Sequence, residues 1–210
     1  AQKSVKTDKH VVYQMMFHLW GNKQTELVRN GSYTQNGVTK FKDVSNIALK
    51  ALKNKGITHV YATGLIEHAT MENFGAYGSP IDHPSVVKGR AGSPFAIKDY
   101  YDVNPFLADE PAKRMDEFKL MLKRFHANGL KLIIDFVPNH LARQYQSDMK
   151  PKGVVDFGVN DRQDVAFDVN NNFYYLPGTK FSVPEGVHPP VPVTIPYTEV
   201  PAKVSGNNVF

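Results

Sequence analysis

Three polar side chains stand within six residues of one another in Asp135-Phe136-Val137-Pro138-Asn139-His140. An acid, an amide and an imidazole at the end of a strand can all face one cleft. Asp135 and His140 suit hydrogen bonds to sugar hydroxyls, and the Asn139 amide offers an oxygen suited to a hard cation such as calcium. The same pattern also describes a strand end whose polar groups satisfy one another, so its meaning depends on its setting. Two further stretches are rich in side chains that bind: Tyr77, His83, Phe95, Tyr100 and Tyr101 in one, and Phe173, Tyr174 and Tyr175 in the other. Flat rings stack on the apolar faces of pyranoses, and they equally fill a small core.

The elements that must position these residues alternate in type. Residues 130–137 (LKLIIDFV) read as the strand that carries Asp135. Two earlier runs, VVYQMMF at 11–17 and ITHVY at 57–61, are also strand-like, the first suited to burial on both faces. Asp43 offers an N-cap for a helix whose face is Val44, Ile47, Ala48, Ala51 and Leu52, with Gly56 at its end. A second helix, from about Lys113 to Asn128, carries Met115, Phe118, Met121, Leu122 and Phe125 as its stripe, and Gly129 ends it. Strand, helix, strand, helix, strand predicts an α/β fold with parallel pairing. The strand-to-helix links, Leu19 to Lys42 and Leu65 to Pro111, are long and lie after the strands' carboxyl ends. Barrel enzymes and open α/β sheets carry their sites there.

After His140 the character changes. Eight of the fourteen prolines fall in this last third, and residues 187–201 (VHPPVPVTIPYTEVP) cannot form a central strand because proline lacks a ladder donor. Residues 141–210 therefore read as an irregular excursion inserted after the third strand, following three β/α units in residues 1–140. Lys and Arg are interspersed with acids at a net charge of +5, which leaves no nucleic-acid footprint. No run approaches the ~18 apolar residues of a membrane helix, and Ala1-Gln2-Lys3-Ser4 is not a signal peptide. With no cysteine, disulfides and thiol chemistry are excluded, while export to the periplasm or outside stays open.

The segment from Gly92 to His140 resembles the α-amylase family of glycoside hydrolases. In that family a strand ends in an aspartate, with asparagine and histidine four and five residues on, as in Asp135, Asn139 and His140. A helix ending in His-x-x-Gly precedes it, matched by His126-Ala127-Asn128-Gly129. Before that come an aromatic, an aspartate and an Asn-Pro-like stretch, matched by Phe95, Asp99 and Asn104-Pro105. Residues 56–64 (GITHVYATG) and 12–17 (VYQMMF) fit the family's second and first strands.

The resemblance implies a (β/α)8 TIM barrel, here its N-terminal part, with an irregular B domain inserted after the third strand. It implies an α-glucan or maltooligosaccharide substrate, cleaved or transferred with retention. His140 would hydrogen-bond the sugar whose bond breaks, with Asp135 fixing that end of the site. Phe95 stands where most members carry a stacking tyrosine, and Asp99 follows it in the same motif. Residues 168–178 (DVNNNFYYLPG) look like a substrate-facing loop, which puts Tyr174 on the sugar. In branches that keep calcium, Asn139 would be a ligand, joined by an acid of the insertion such as Asp156, Asp161, Asp164 or Asp168. His18, His59, His68 and His83 read as structural or surface residues. The family's catalytic carboxylates follow later strands, and no Gly-Phe-Arg-x-Asp occurs here. A full barrel takes about 250 residues without an inserted domain. Residues 1–210 alone are accordingly expected neither to hydrolyse α-glucan nor to fold as a stable monomer, and the rest of the barrel is the implied partner. A non-catalytic carbohydrate-binding relative or a glucan transferase is the alternative.

Overall fold

Periodicity places the three parallel strands and the two longer helices. The computed structural model describes residues 9–204; the opening Ala1-Gln2-Lys3-Ser4 lies outside them. In chain order the elements are β1 (Val12–Met16), α1 (Phe17–Trp20), α2 (Tyr33–Asn36), α3 (Asn46–Asn54), β2 (His59–Thr63), β3 (Ile66–His68), β4 (Ile97–Val103), α4 (Arg114–Ala127), β5 (Lys131–Ile134), β6 (Tyr175–Leu176) and β7 (Ala202–Lys203). β1, β2 and β5 form one sheet in that order, both pairs parallel. This is the predicted α/β arrangement, as an open sheet of three strands among the described residues rather than a closed barrel.

Side chains alternate across this sheet. Met15, Val60, Ala62 and Leu130 are buried with Leu49 of α3 and Phe118, Met121 and Phe125 of α4. The opposite face receives Val12, Gln14 and Met16, then His59, Tyr61 and Thr63, then Lys131, Ile133 and Asp135. On it Val12 is 54% and Ile133 36% exposed, while Thr63 is buried. Both edge strands, β1 and β5, leave a ladder edge unpaired by any other named strand.

Three expectations need correction. Asp43 does not cap α3: it ends a 3-10 turn and takes the Lys40 amide at 2.7 Å, while Ser45 caps the helix by accepting from Ala48. The buried stripe of α3 also differs, with Leu49 buried and Ile47 82% exposed. Val44 and Leu52 of the expected face still pack on the core, while Ile47 and Ala51 lie outside it. The third correction concerns the long link Leu65–Pro111, which contains an antiparallel hairpin of β3 with β4. β4 (IKDYYDV) buries Lys98, Asp99 and Asp102, each below 3% exposed. Buried charges are tolerated when paired. Lys98 meets Asp82 at 2.9 Å, and Arg114 from α4 holds Asp102.

Beyond His140 the chain is irregular, as proline content predicts, apart from the short β6–β7 pair. Arg143 fastens its two ends. Its guanidinium donates to Glu199 Oε1 at 2.6 Å and to the Lys203 carbonyl at 3.0 and 3.1 Å, and lies 4.5 Å from the Phe181 ring centre.

Candidate functional site

Asp135 follows β5 and is placed by its backbone, whose amide donates to the Ala62 carbonyl at 3.1 Å. Its carboxylate emerges on the face of the sheet that carries Tyr61 and Thr63, at the carboxyl end. There Tyr61 Oη donates to Oδ1 at 2.6 Å and Thr63 Oγ1 to Oδ2 at 3.0 Å. Both donors come from β2, on the same face by alternation. The hydrogen bond to Asp135 holds the Tyr61 phenol above its usual range. Each carboxylate oxygen therefore has one fixed donor and keeps lone pairs for another. Such a group can accept from a sugar hydroxyl without moving.

The loop after it is held from the other side. Tyr100 on β4 donates its hydroxyl to the Val137 carbonyl and lies 3.3 Å from that of His140. Its ring meets Phe136, Tyr145 and Phe157, making an aromatic patch beside the loop. Asn139 and His140 are exposed, with Asn139 Nδ2 3.4 Å from His140 Nδ1. Phe95, 44% exposed, follows Pro94 in the turn before β4. Tyr61 and Thr63, not among the candidates of the sequence, position the motif together with Tyr100. Tyr61 and Thr63 need the register of β2 with β5, and Tyr100 acts across 37 residues, so none of the three leaves a local signal.

His18 also reaches this end of the sheet, just past β1. Its Nδ1 is buried and has no hydrogen-bond partner among the described residues. Burial lowers its pKa. Gly64, after β2, has a φ of +87°, and a Cβ there would lie 3.7 Å from His18 Nδ1 and 3.3 Å from Pro94. His68, by contrast, is structural. It lies between the Asn104 amide and the Ala91 carbonyl, and burial pushes it down to about 4.

The remaining expected residues do not gather here. Asp99 is fully buried, accepting from the amides of Tyr101 at 2.7 Å and Met149 at 3.4 Å, which leaves it closed to a sugar. Tyr174 is 60% exposed and stacks on Phe167 with centroids 5.6 Å apart, whereas Tyr175 is buried and bonds Asp161. The acids of the insertion are engaged locally. Asp156 pairs with Lys150, and Asp161 takes the amides of Asn172 and Phe173. Asp168 accepts from Asn170 at 2.9 Å and Arg162 at 3.3 Å. No hydrogen bond among the described residues links Asn139 to Asp168.

No family model matches the chain. A 52-residue stretch is 38% identical to an α-glucosidase of Culex pipiens, covering 24% of this chain and 9% of that protein. A 104-residue stretch is 29% identical to a cyclomaltodextrin glucanotransferase of Bacillus sp. (strain 1-1), covering 48% of this chain and 14% of that protein. The matches thus span a small part of either relative's length. Among solved structures, an α-amylase from Lactobacillus plantarum aligns with a TM-score of 0.43 at 22% identity, over 64% of this chain and 24% of its own. Gamma-CGTase from alkalophilic Bacillus clarkii aligns at 0.42 and 19%, over 63% and 19%. Over part of its length, the chain is similar to members of the α-amylase family of glycoside hydrolases.

Proposed function

We propose that this chain supplies the first three β/α units (residues 1–140) and a B-domain-like insertion (141–210) of a retaining (β/α)8 glycosidase. It acts on α-glucosidic bonds of starch-like glucans or maltooligosaccharides. The observation that carries this reading is the Asp135 carboxylate. It stands at the carboxyl end of a parallel strand, anchored by Tyr61 and Thr63, with His140 exposed five residues on. A carboxylate fixed in advance orients a sugar without paying its own ordering cost during reaction.

The division of labour follows from that geometry. Asp135 accepts from a hydroxyl of the sugar at the scissile bond, His140 donates to the same sugar, and Phe95 stacks on its apolar face. Tyr174 and Phe167 offer a second exposed ring pair for a more distant sugar. Retention needs two carboxyl groups about 5 Å apart, one as nucleophile and one as general acid/base. Asp135 is neither, because its role is positional, and the pair comes from the remainder of the barrel.

The test is cleavage of maltoheptaose by the protein expressed from its whole reading frame. Asp135→Asn and His140→Ala should each lower kcat/KM by at least 100-fold with folding unchanged. Full activity in both variants would overturn the assignment. The longer of the two sequence matches is to a glucanotransferase, so the same assay should record transfer products beside hydrolysis products. Binding of maltoheptaose with no bond cleavage would instead favour a carbohydrate-binding role.

A further inference from the structure

Away from Asp135, four carboxylates converge behind the β3–β4 hairpin. One oxygen from each of Glu67, Asp99, Asp102 and Asp148 lies within 4.8 Å of the others. Oxygens on opposite sides of a calcium-sized ion, at 2.3–2.6 Å each, are separated by about 5 Å. The spacing therefore matches a shell around one ion. Glu67, Asp99 and Asp102 are buried to 1%, 0% and 2% exposure.

The charges are not balanced by the protein itself. Arg114 meets Asp102, and reaches Asp148 at 3.1 Å. Among the described residues no ion pair within 4 Å reaches Glu67 or Asp99, although the Arg114 and Lys98 charges act on Glu67 from further off. Lys98, the neighbouring cation on β4, is committed to Asp82 and the Pro80 carbonyl. Independently of the cluster's composition, Glu67 Oε2 is buried and has no hydrogen-bond partner among the described residues. An orphaned buried carboxylate oxygen costs free energy unless a proton or a cation meets it. Burial, with Asp102 and Asp99 adding to it, pushes the Glu67 carboxyl up to about 8.

The loop above the cluster is shaped to let the fourth acid in. Gly78 has a φ of +90°, and a Cβ there would fall 1.9 Å from Asp148 Oδ2. Only glycine lets Asp148 lie against this turn.

We propose that Glu67, Asp99, Asp102 and Asp148 bind one hard divalent cation, of which calcium is the fitting size. Its ligands come from β3, β4 and the first part of the segment after His140, so the ion joins the hairpin to that segment. The site is separate from Asn139 and Asp168 and does not depend on the glycosidase reading.

Calcium titration of the EDTA-treated, repurified protein by calorimetry tests the site. One equivalent should bind, at least 10-fold more weakly in Glu67→Gln and Asp99→Asn, while Glu185→Gln, altering an exposed acid, leaves affinity within twofold. Equal affinity in all three variants, or no binding by the unaltered protein at millimolar calcium, would overturn the proposal. Should the core variants fail to fold, a manganese-soaked crystal of the unaltered protein decides. An anomalous peak between Glu67 and Asp99 supports the site, and a peak elsewhere or none rejects it.

Discussion

Arg143 is the residue whose removal should most change the segment after His140. Its side chain is 9% exposed and that of Glu199 11%, so the pair is held largely out of water. Removing one partner of a buried ion pair costs about 3–5 kcal/mol, because the other charge stays buried and unpaired. Arg143→Met should therefore raise local opening of the β6–β7 region by roughly 100- to 4,000-fold, at 1.4 kcal/mol per factor of ten. The reporters are the amides of Ala202, bonded to the Thr179 carbonyl at 2.8 Å, and Val204, bonded to that of Tyr174 at 2.9 Å. Hydrogen exchange followed by NMR or mass spectrometry reads both. Arg162→Met is the control: its pairs with Asp164 and Asp168 lie at a guanidinium 59% exposed, where a surface pair contributes about 0–1 kcal/mol. Acid should mimic the Arg143 variant. Burial pushes the Glu199 carboxyl up, but the Lys203 amide and Arg143 outweigh it and leave it below the usual 4.5. A depressed folded pKa gives stability present above that unfolded value and lost as pH falls through the folded one. Unchanged protection at Ala202 and Val204 in Arg143→Met, or an equal loss in Arg162→Met, would refute the argument.

Three shorter predictions follow from other contacts. Tyr61→Phe removes a 2.6 Å hydrogen bond to a carboxylate. Such bonds contribute about 1.5–3 kcal/mol, so kcat/KM on maltoheptaose should fall roughly 10- to 100-fold, with Thr63→Val smaller. Gly78→Ala should lower stability in urea by about 2–4 kcal/mol, combining left-handed strain with loss of the Asp148 contact to Arg114; a loss under about 0.5 kcal/mol would contradict that. Glu67 has a folded pKa raised from 4.5 to about 8, so the folded state holds an extra proton between those values. In EDTA, stability should accordingly decline as pH rises from 4.5 to 8, and in Glu67→Gln this part of the slope should vanish.

The three parallel strands and α4 were legible because apolar runs bounded by Gly56 and Gly129 admit few alternatives. The β3–β4 hairpin was not. Lys98, Asp99 and Asp102 make β4 look like a solvated link, and their partners Asp82 and Arg114 lie 12 to 16 residues away in sequence. Pattern reading treats a charge as a surface mark, whereas pairing decides. The same blindness put Asp99 at the sugar rather than inside the fold. At the site, Asp135 with Asn139 and His140 stood out by spacing, but its anchors Tyr61 and Thr63 belong to another strand and need the register of β2 with β5. In α3 the cap is Ser45 rather than Asp43, and Leu49 rather than Ile47 is buried.

The most direct test of the central claim is the coding DNA beyond the codon for Phe210. The account predicts an open frame that supplies Gly-Phe-Arg-x-Asp within about sixty codons, then a glutamate at the end of a following strand. A stop codon there, or the same frame with that aspartate replaced, would contradict a catalytic role.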